Sequence, residues 1–149
     1  MDVDKEKVSQ LLNKILEMEL AGAVRYTHYS LMVYGYNRIP IVSWLREQAN
    51  ESLMHAQAAG EMITSLGGHP SLGIGPLLET HKHDIGDILR ESLEHERAGI
   101  QSYRNLLTEV EGKSIWLEEY ARTMIAQEET HAYEVEKMLR KPGELKTNV

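Results

Sequence analysis

Apolar residues recur every three or four positions along four long stretches of the chain, a spacing that places them on one face of an α-helix. Glycine and proline interrupt this pattern at the GGHPSLGIGP run of 67–76, at 142–143 and, more weakly, at 37–40 and 112. The pattern predicts four helices, at residues 4–36, 41–66, 83–110 and 114–140. At 1.5 Å per residue each helix would be about 40–50 Å long, a length typical of helices packed side by side.

The lengths of the connections predict how the helices are arranged. The first and third connections are a few residues each, so the helices that they join are antiparallel neighbours. The middle connection, 67–82, is long enough to run the length of the bundle and make helices 2 and 3 parallel. We therefore predict an all-α fold, a four-helix bundle with one long crossover between helices 2 and 3. A single domain would cover 1–140, followed by a C-terminal tail at 141–149.

Composition and charge exclude several kinds of function. The sequence contains no cysteine, which rules out disulfides, thiolate metal sites and a cysteine nucleophile. A net charge of −7 disfavours nucleic acid as a partner and favours cations. No stretch approaches the roughly 18 apolar residues of a membrane span, and residues 1–7 alternate charges where a signal peptide is apolar. We expect a cytoplasmic protein with no membrane partner.

Ionisable residues interrupt the apolar face near the middle of every predicted helix. They are Glu19 in the first helix, His55 in the second, Glu96 in the third, and Glu128 with His131 in the fourth. Glu51, four residues before His55, lies on nearly the same face of the second helix. Tyr26 follows Glu19 by seven residues and shares its face, where it can bond a ligand carboxylate or donate an electron.

Several carboxylates in one bundle interior are costly unless a cation holds them. Oxygen ligands combined with imidazoles suit iron, manganese or zinc better than copper. Two single glutamates with two Glu/His pairs form the ligand set of carboxylate di-iron bundles. The competing interpretation is a buried ion-pair network with Arg25, Arg97 or Arg122. We favour the metal site.

At these residues the chain resembles the ferritin-like superfamily, and bacterioferritin in particular. The similar stretches are NKILEMELAGAVRY at 13–26, HAQAAGEMITSLGGHP at 55–70, ILRESLEHERAG at 88–99 and EETHAYEVEKML at 128–139. The resemblance places Glu19, His55, Glu96, Glu128 and His131 on di-iron ligand positions, with Tyr26 beside the site. It implies ferroxidase and iron-storage activity, in which O₂ or peroxide oxidises Fe(II) in a homo-oligomeric cage or a smaller assembly.

The resemblance also suggests which residues hold each metal. Glu19 and His55 would hold one iron, with manganese or zinc as possible substitutes, and Glu96 and His131 the other. Glu128 would bridge the two ions, and Glu51 is the candidate second bridge.

The second helix departs from the family pattern at two places. The family has Glu-x-x-His, whereas here Ser52 stands three residues before His55 and Glu51 stands four before it. Glu51 would join the site if a π-bulge between 51 and 55 widened the helix turn. Leu53 occupies the position of the haem-ligating methionine and Met54 is its neighbour, so we expect no haem.

The C-terminal end departs from the pattern as well. Lys141, Pro142 and Gly143 end the fourth helix, and the six residues that follow are too few for the short fifth helix of ferritin cages. This feature reduces the support for a 24-subunit shell and leaves a dimer or a smaller shell as alternatives. It also favours the alternative function, a peroxide-reducing, rubrerythrin-like di-metal enzyme that stores nothing. Ser52 favours a third possibility, an assembly subunit whose site has decayed.

Two further histidines, His81 and His83, lie at the end of the crossover. Their i, i+2 spacing can bind a surface metal. Solvent exposure near a helix start is the commoner explanation for such residues, and we interpret them in that way.

Overall fold

Four α-helices and their connections make up the part of the chain that the computed structural model describes, residues 2–146. They are α1 (Lys5–Met32), α2 (Arg38–Ser65), α3 (Ile85–Val110) and α4 (Ile115–Leu139). No strand occurs within that range, and the predicted all-α, four-helix fold is confirmed. The predicted tail, 141–149, is described only as far as residue 146.

The helix ends follow local sequence signals. Three helices begin with a polar N-cap side chain that accepts a backbone N–H hydrogen bond. These N-caps are Asp4 for α1, Asp84 for α3 and Ser114 for α4. α2 begins at Arg38, three residues before the predicted start, because a proline in the first helical turn removes no intrahelical hydrogen bond. α1 ends four residues before the predicted end, ahead of Gly35, whose φ of 100° is left-handed.

The crossover between α2 and α3 runs along the outside of α1. The Asn13 side chain donates to the His69 carbonyl at 3.1 Å and accepts the Ser71 N–H at 2.8 Å. Further on, the Gly75 N–H donates to the Glu17 carbonyl at 2.8 Å. A Cβ at Gly75 would lie 3.0 Å from that carbonyl oxygen, so a larger residue would push the crossover away from α1. The crossover returns the chain to the end of the bundle at which α2 began, and α3 is therefore parallel to α2, as the connection lengths predicted.

The apolar core is divided between the two ends of the bundle. At one end, side chains such as Leu12, Ile63 and Leu106 pack together. At the other end Tyr29, Leu45 and Ile88 form a second cluster, and further apolar contacts join α3 and α4. Buried polar side chains lie in the middle section. Within residues 2–146, no helix has the length and apolar character that crossing a membrane requires.

Candidate metal centre

Three carboxylates are buried in the middle section of the bundle. Glu19 on α1, Glu96 on α3 and Glu128 on α4 are 6%, 6% and 5% exposed. Each sits at an inward position of its helix, since it continues the three- and four-residue spacing of the apolar face. Glutamate is almost never this buried unless it is paired or bound to a cation.

Two histidines join these carboxylates to form two overlapping groups. The first contains Glu19, His55 and Glu128, and the second contains Glu96, Glu128 and His131. Within each group the candidate ligand atoms all lie within 4.8 Å of one another. Glu128 belongs to both groups, so the arrangement has the form of two adjacent cation positions that share one carboxylate.

His55 carries the positive charge of the first group. Its Nδ1 lies 2.7 Å from Glu19 Oε2 and 3.2 Å from Glu128 Oε1. Burial lowers the pKa of His55, but hydrogen bonds to Glu128 and Glu19, together with their charges, outweigh burial and raise the pKa to about 10. The protonated imidazole thus occupies the place that a cation would take, and metal binding would release its proton.

The buried glutamates are held in an environment that disfavours their negative charge. Burial raises the pKa of Glu96 well above its ordinary value, and the hydrogen bond to Glu128 and that group's charge raise it further. Burial also raises the pKa of Glu19, against the opposing effect of His55. A bound cation would oppose these shifts, because a nearby positive charge favours the ionised carboxylate. The donor set of oxygens and imidazoles therefore fits one or more divalent metal ions.

The alternative interpretation, an ion-pair network with arginine, is wrong. Arg25 bonds to His95 and to Tyr29. Arg97 pairs with Glu136, and Arg122 pairs with Glu111 and Glu118 on the outer surface. Over residues 2–146, no lysine or arginine forms an ion pair with Glu19, Glu96 or Glu128.

Glu51 lies beside the site without the predicted change in helix geometry. α2 is continuous α-helix from Arg38 to Ser65, so the expected π-bulge between 51 and 55 is wrong. The Glu51 side chain is 40% exposed, yet its Oε2 lies 3.5 Å from His131 Nε2. The i, i+4 spacing places Glu51 one turn from His55, beside the second group. Ser52 is buried against Gly22, and a Cβ at Gly22 would lie 2.7 Å from the Ser52 hydroxyl oxygen.

Two tyrosines hold the buried carboxylates. The Tyr26 hydroxyl donates to Glu96 Oε1, and the Tyr103 hydroxyl donates to Glu19 Oε2 at 3.4 Å. Burial and the neighbouring negative charges raise the pKa of both phenols well above the ordinary value. Of these two tyrosines, only Tyr26 was among the residues that the sequence pattern singled out. Tyr103 follows Glu96 by seven residues, just as Tyr26 follows Glu19, and this spacing could have identified Tyr103 as a residue of the site.

The metal-free protein should lose stability as the pH rises from 6.5 to 10. The folded-state pKa of His55 is raised from 6.5 to about 10, so its stabilisation is complete below 6.5 and is lost as the pH passes through 10. The raised pKa values of Glu19 and Glu96 act in the same direction, because the folded state keeps protons that the unfolded state releases above 4.5. Thermal unfolding followed by circular dichroism across this range measures the effect. His55→Gln should flatten the profile, and a wild-type melting temperature independent of pH would contradict the prediction.

In this bundle the parallel helices α2 and α3 are joined by one crossover, and carboxylates and histidines meet at mid-length. These two features define a class of metal-binding bundle proteins. The family comparison agrees: the model of the ferritin-like domain matches residues 9–143. The chain belongs to the ferritin-like family, and the resemblance noted from its motifs is confirmed.

Solved structures of bacterioferritins share this fold. The bacterioferritin of Desulfovibrio desulfuricans, whose diiron site was seen in different catalytic states, is 28% identical with a TM-score of 0.77 over 90% of this chain and 78% of that one. The bacterioferritin of Rhodobacter capsulatus, which has a metal-free dinuclear site and haem iron, is 25% identical with a TM-score of 0.78 over 92% and 85%. The dodecameric thioferritin of Bacteroides fragilis is 24% identical with a TM-score of 0.84 over 93% and 87%. A comparison with curated proteins found no match.

Proposed function

We propose that this protein is a ferroxidase that oxidises Fe(II) to Fe(III) at an intra-subunit di-iron carboxylate centre, with O₂ or peroxide as the electron acceptor. The observation that carries the proposal is the position of Glu128. Its carboxylate is shared by two groups of candidate ligands, one with Glu19 and His55 and one with Glu96 and His131. Membership of the ferritin-like family supports the same activity.

Each group supplies the ligands that one substrate ion needs. Glu19 and His55 would hold one iron, Glu96 and His131 the other, and Glu128 would bridge them. Glu51 would complete the second position from the solvent side, where it already lies beside His131. Negative carboxylates stabilise the extra positive charge that appears when each ion gives up one electron.

The surrounding residues prepare the centre for this change. Tyr26 and Tyr103 donate hydrogen bonds that orient Glu96 and Glu19. His131, at 23% exposed, and Glu51, at 40%, provide an approach from solvent. The net charge of −7 attracts Fe(II) to the protein.

Storage of the Fe(III) product in a homo-oligomeric shell is part of the proposal. Bacterioferritin-like neighbours, one of them dodecameric, support an assembly of many subunits. The test adds about a hundred Fe(II) per chain to the metal-free protein in air, an excess over the two ions of a carboxylate centre. Iron and protein are then followed together through gel filtration. Soluble iron that co-elutes with a large particle is the expected result.

Two other results would change the assignment. Retention of about two irons per chain, with precipitation of the rest, would show a di-metal redox enzyme that stores nothing. No retained iron and no oxidation would overturn the proposal.

A matched pair of variants on α3 tests the ligand assignment. Glu96→Gln removes a buried charge from the second group, whereas Glu94→Gln changes an exposed residue two positions away. We expect Glu96→Gln to slow Fe(II) oxidation by at least about 10-fold, since even partners of metal ligands have effects of this size. Glu94→Gln should leave the rate unchanged. Stopped-flow absorbance of Fe(III) measures both rates, and equal rates would contradict the assignment of Glu96.

A further inference from the structure

A second cluster of histidine and carboxylate side chains lies on the outside of the bundle, where the crossover meets α1. His28 Nε2 is 2.8 Å from Glu79 Oε2, and His83 Nε2 is 3.3 Å from Glu79 Oε1. The candidate ligand atoms of these three residues lie within 4.8 Å of one another. The crossover contributes Glu79 and His83, and α1 contributes His28.

This cluster is separate from the candidate centre inside the bundle. His28 follows Glu19 by nine residues on α1, and at about 100° per residue the two side chains project from opposite faces of the helix. The rise of 1.5 Å per residue also separates them by about 14 Å along the helix axis. The outer cluster therefore shares no ligand with the centre that Glu19 helps to form.

We propose that His28, Glu79 and His83 bind one divalent transition-metal ion of the zinc type. Two imidazoles and one carboxylate are a common protein ligand set for such ions. In a tetrahedral zinc site with bonds of about 2.0–2.1 Å, neighbouring ligand atoms lie about 3.4 Å apart. His28 Nε2 lies 2.8 Å from one carboxylate oxygen of Glu79, and His83 Nε2 lies 3.3 Å from the other. Both imidazoles therefore face the same carboxylate at separations comparable to that edge length.

The backbone at His81 orients the carboxylate of this cluster. The His81 N–H donates to Glu79 Oε1 at 2.6 Å. His81 has a φ of 55°, and among residues 2–146 it is the one non-glycine residue with a positive φ. This left-handed conformation is uncommon for a residue with a Cβ, and in it the His81 N–H faces Glu79. A hydrogen bond to a metal-binding carboxylate is a usual support of a metal site.

The location gives the bound ion a structural consequence. The side chains of His28, Glu79 and His83 are 41%, 40% and 26% exposed, so an ion can enter directly from solution. Once bound, it ties the end of the crossover to α1. Hydrogen exchange of backbone amides near 77–84 should therefore slow in the presence of the ion.

The test counts zinc bound to the full-length, metal-free protein by equilibrium dialysis and elemental analysis. We expect His28→Gln and His83→Gln each to bind one zinc ion fewer per chain than the wild type. His69→Gln is the matched control, because His69 is an exposed residue of the same crossover, its backbone carbonyl accepts from Asn13, and its imidazole belongs to none of the ligand groups found within residues 2–146. This control should bind as much zinc as the wild type.

The same comparison in a Glu128→Ala background separates the outer site from the inner centre. In that background the inner centre lacks its shared ligand, but the outer site is intact. Replacing His83 should therefore still remove one zinc ion per chain. Equal zinc counts in the wild type and His83→Gln would overturn the outer site. The outer site would also be overturned if zinc slowed hydrogen exchange at 77–84 as strongly in His83→Gln as in the wild type. Either result leaves the ferroxidase proposal unaffected, since the two sites share no ligand.

Discussion

Replacing Glu128 by alanine is expected to slow Fe(II) oxidation by more than about 100-fold. Glu128 is 5% exposed, and its carboxylate belongs to both candidate metal positions. Loss of a residue that merely supports a metal ligand typically costs 10–100-fold, and loss of a ligand shared by two ions should cost more. The initial rate of Fe(III) formation at a fixed excess of O₂ measures the effect.

The neighbouring residue provides the control. Glu129 follows Glu128 directly on α4 but pairs with Arg104 on the outer side of the bundle. Glu129→Ala therefore removes a carboxylate of the same kind without touching the centre, and its rate should match that of the wild type. A Glu128→Ala rate within a few-fold of the wild type would refute a shared ligand at this position. It would favour the interpretation of the chain as an assembly subunit with a decayed site.

The second large effect is expected in thermal stability. Zinc, which does not change oxidation state, should raise the melting temperature of the metal-free protein by about 10 °C when its concentration is 1,000 times the dissociation constant. A ligand at that concentration stabilises the folded state by about 4 kcal/mol per site. For a chain of this size each kcal/mol corresponds to about 2–4 °C. The gain arises because the ion binds the folded state, where the two ligand groups around Glu128 are brought together, and not the unfolded chain.

A comparison with Glu128→Ala isolates the contribution of the centre. The outer cluster of His28, Glu79 and His83 is unchanged in both proteins, so any stabilisation from it is common to both. Differential scanning fluorimetry with and without zinc gives the two shifts. We expect the wild-type shift to be clearly the larger. Equal shifts would show that the buried carboxylates do not bind the ion.

Much of the inner site was predictable from the sequence because helical periodicity is a local property. Glu19, Glu96 and Glu128 each continue an apolar spacing of three and four residues, and such positions face the interior of a bundle. Connection lengths then sufficed to predict which helices are parallel. The donor chemistry of these residues indicated a metal, the family motifs added the ferroxidase expectation, and the match over 9–143 confirmed the family.

Other features of the inner site depended on contacts between helices. The sequence left open whether Arg25, Arg97 or Arg122 neutralises the buried carboxylates, since long side chains can reach either face of a bundle. The packing of the helices shows that none of the three neutralises these carboxylates, because each bonds to other side chains. Tyr103 is a further example, since its hydroxyl acquires a role only where α3 meets Glu19 of α1.

Glu51 shows the limit of spacing arguments. Its spacing from His55 departs from the family pattern and suggested a bulge, yet the helix is regular and the side chain reaches His131 on another helix. A long, flexible side chain can compensate for a shift of one position along the helix. Only the 3.5 Å distance between Glu51 Oε2 and His131 Nε2 shows that it does so here.

By itself, the sequence determined the four helices, their order and the inward carboxylates, because these follow from local periodicity and from the lengths of the connections. Only the tertiary structure decided the path of the crossover. That path brings Glu79 and His83 beside His28, which lies far from them in the chain. It depends on hydrogen bonds such as that from Gly75 to Glu17, which carry no periodic signal. The outer cluster therefore arises from the docking of an irregular segment, and the pattern of residues could not reveal it.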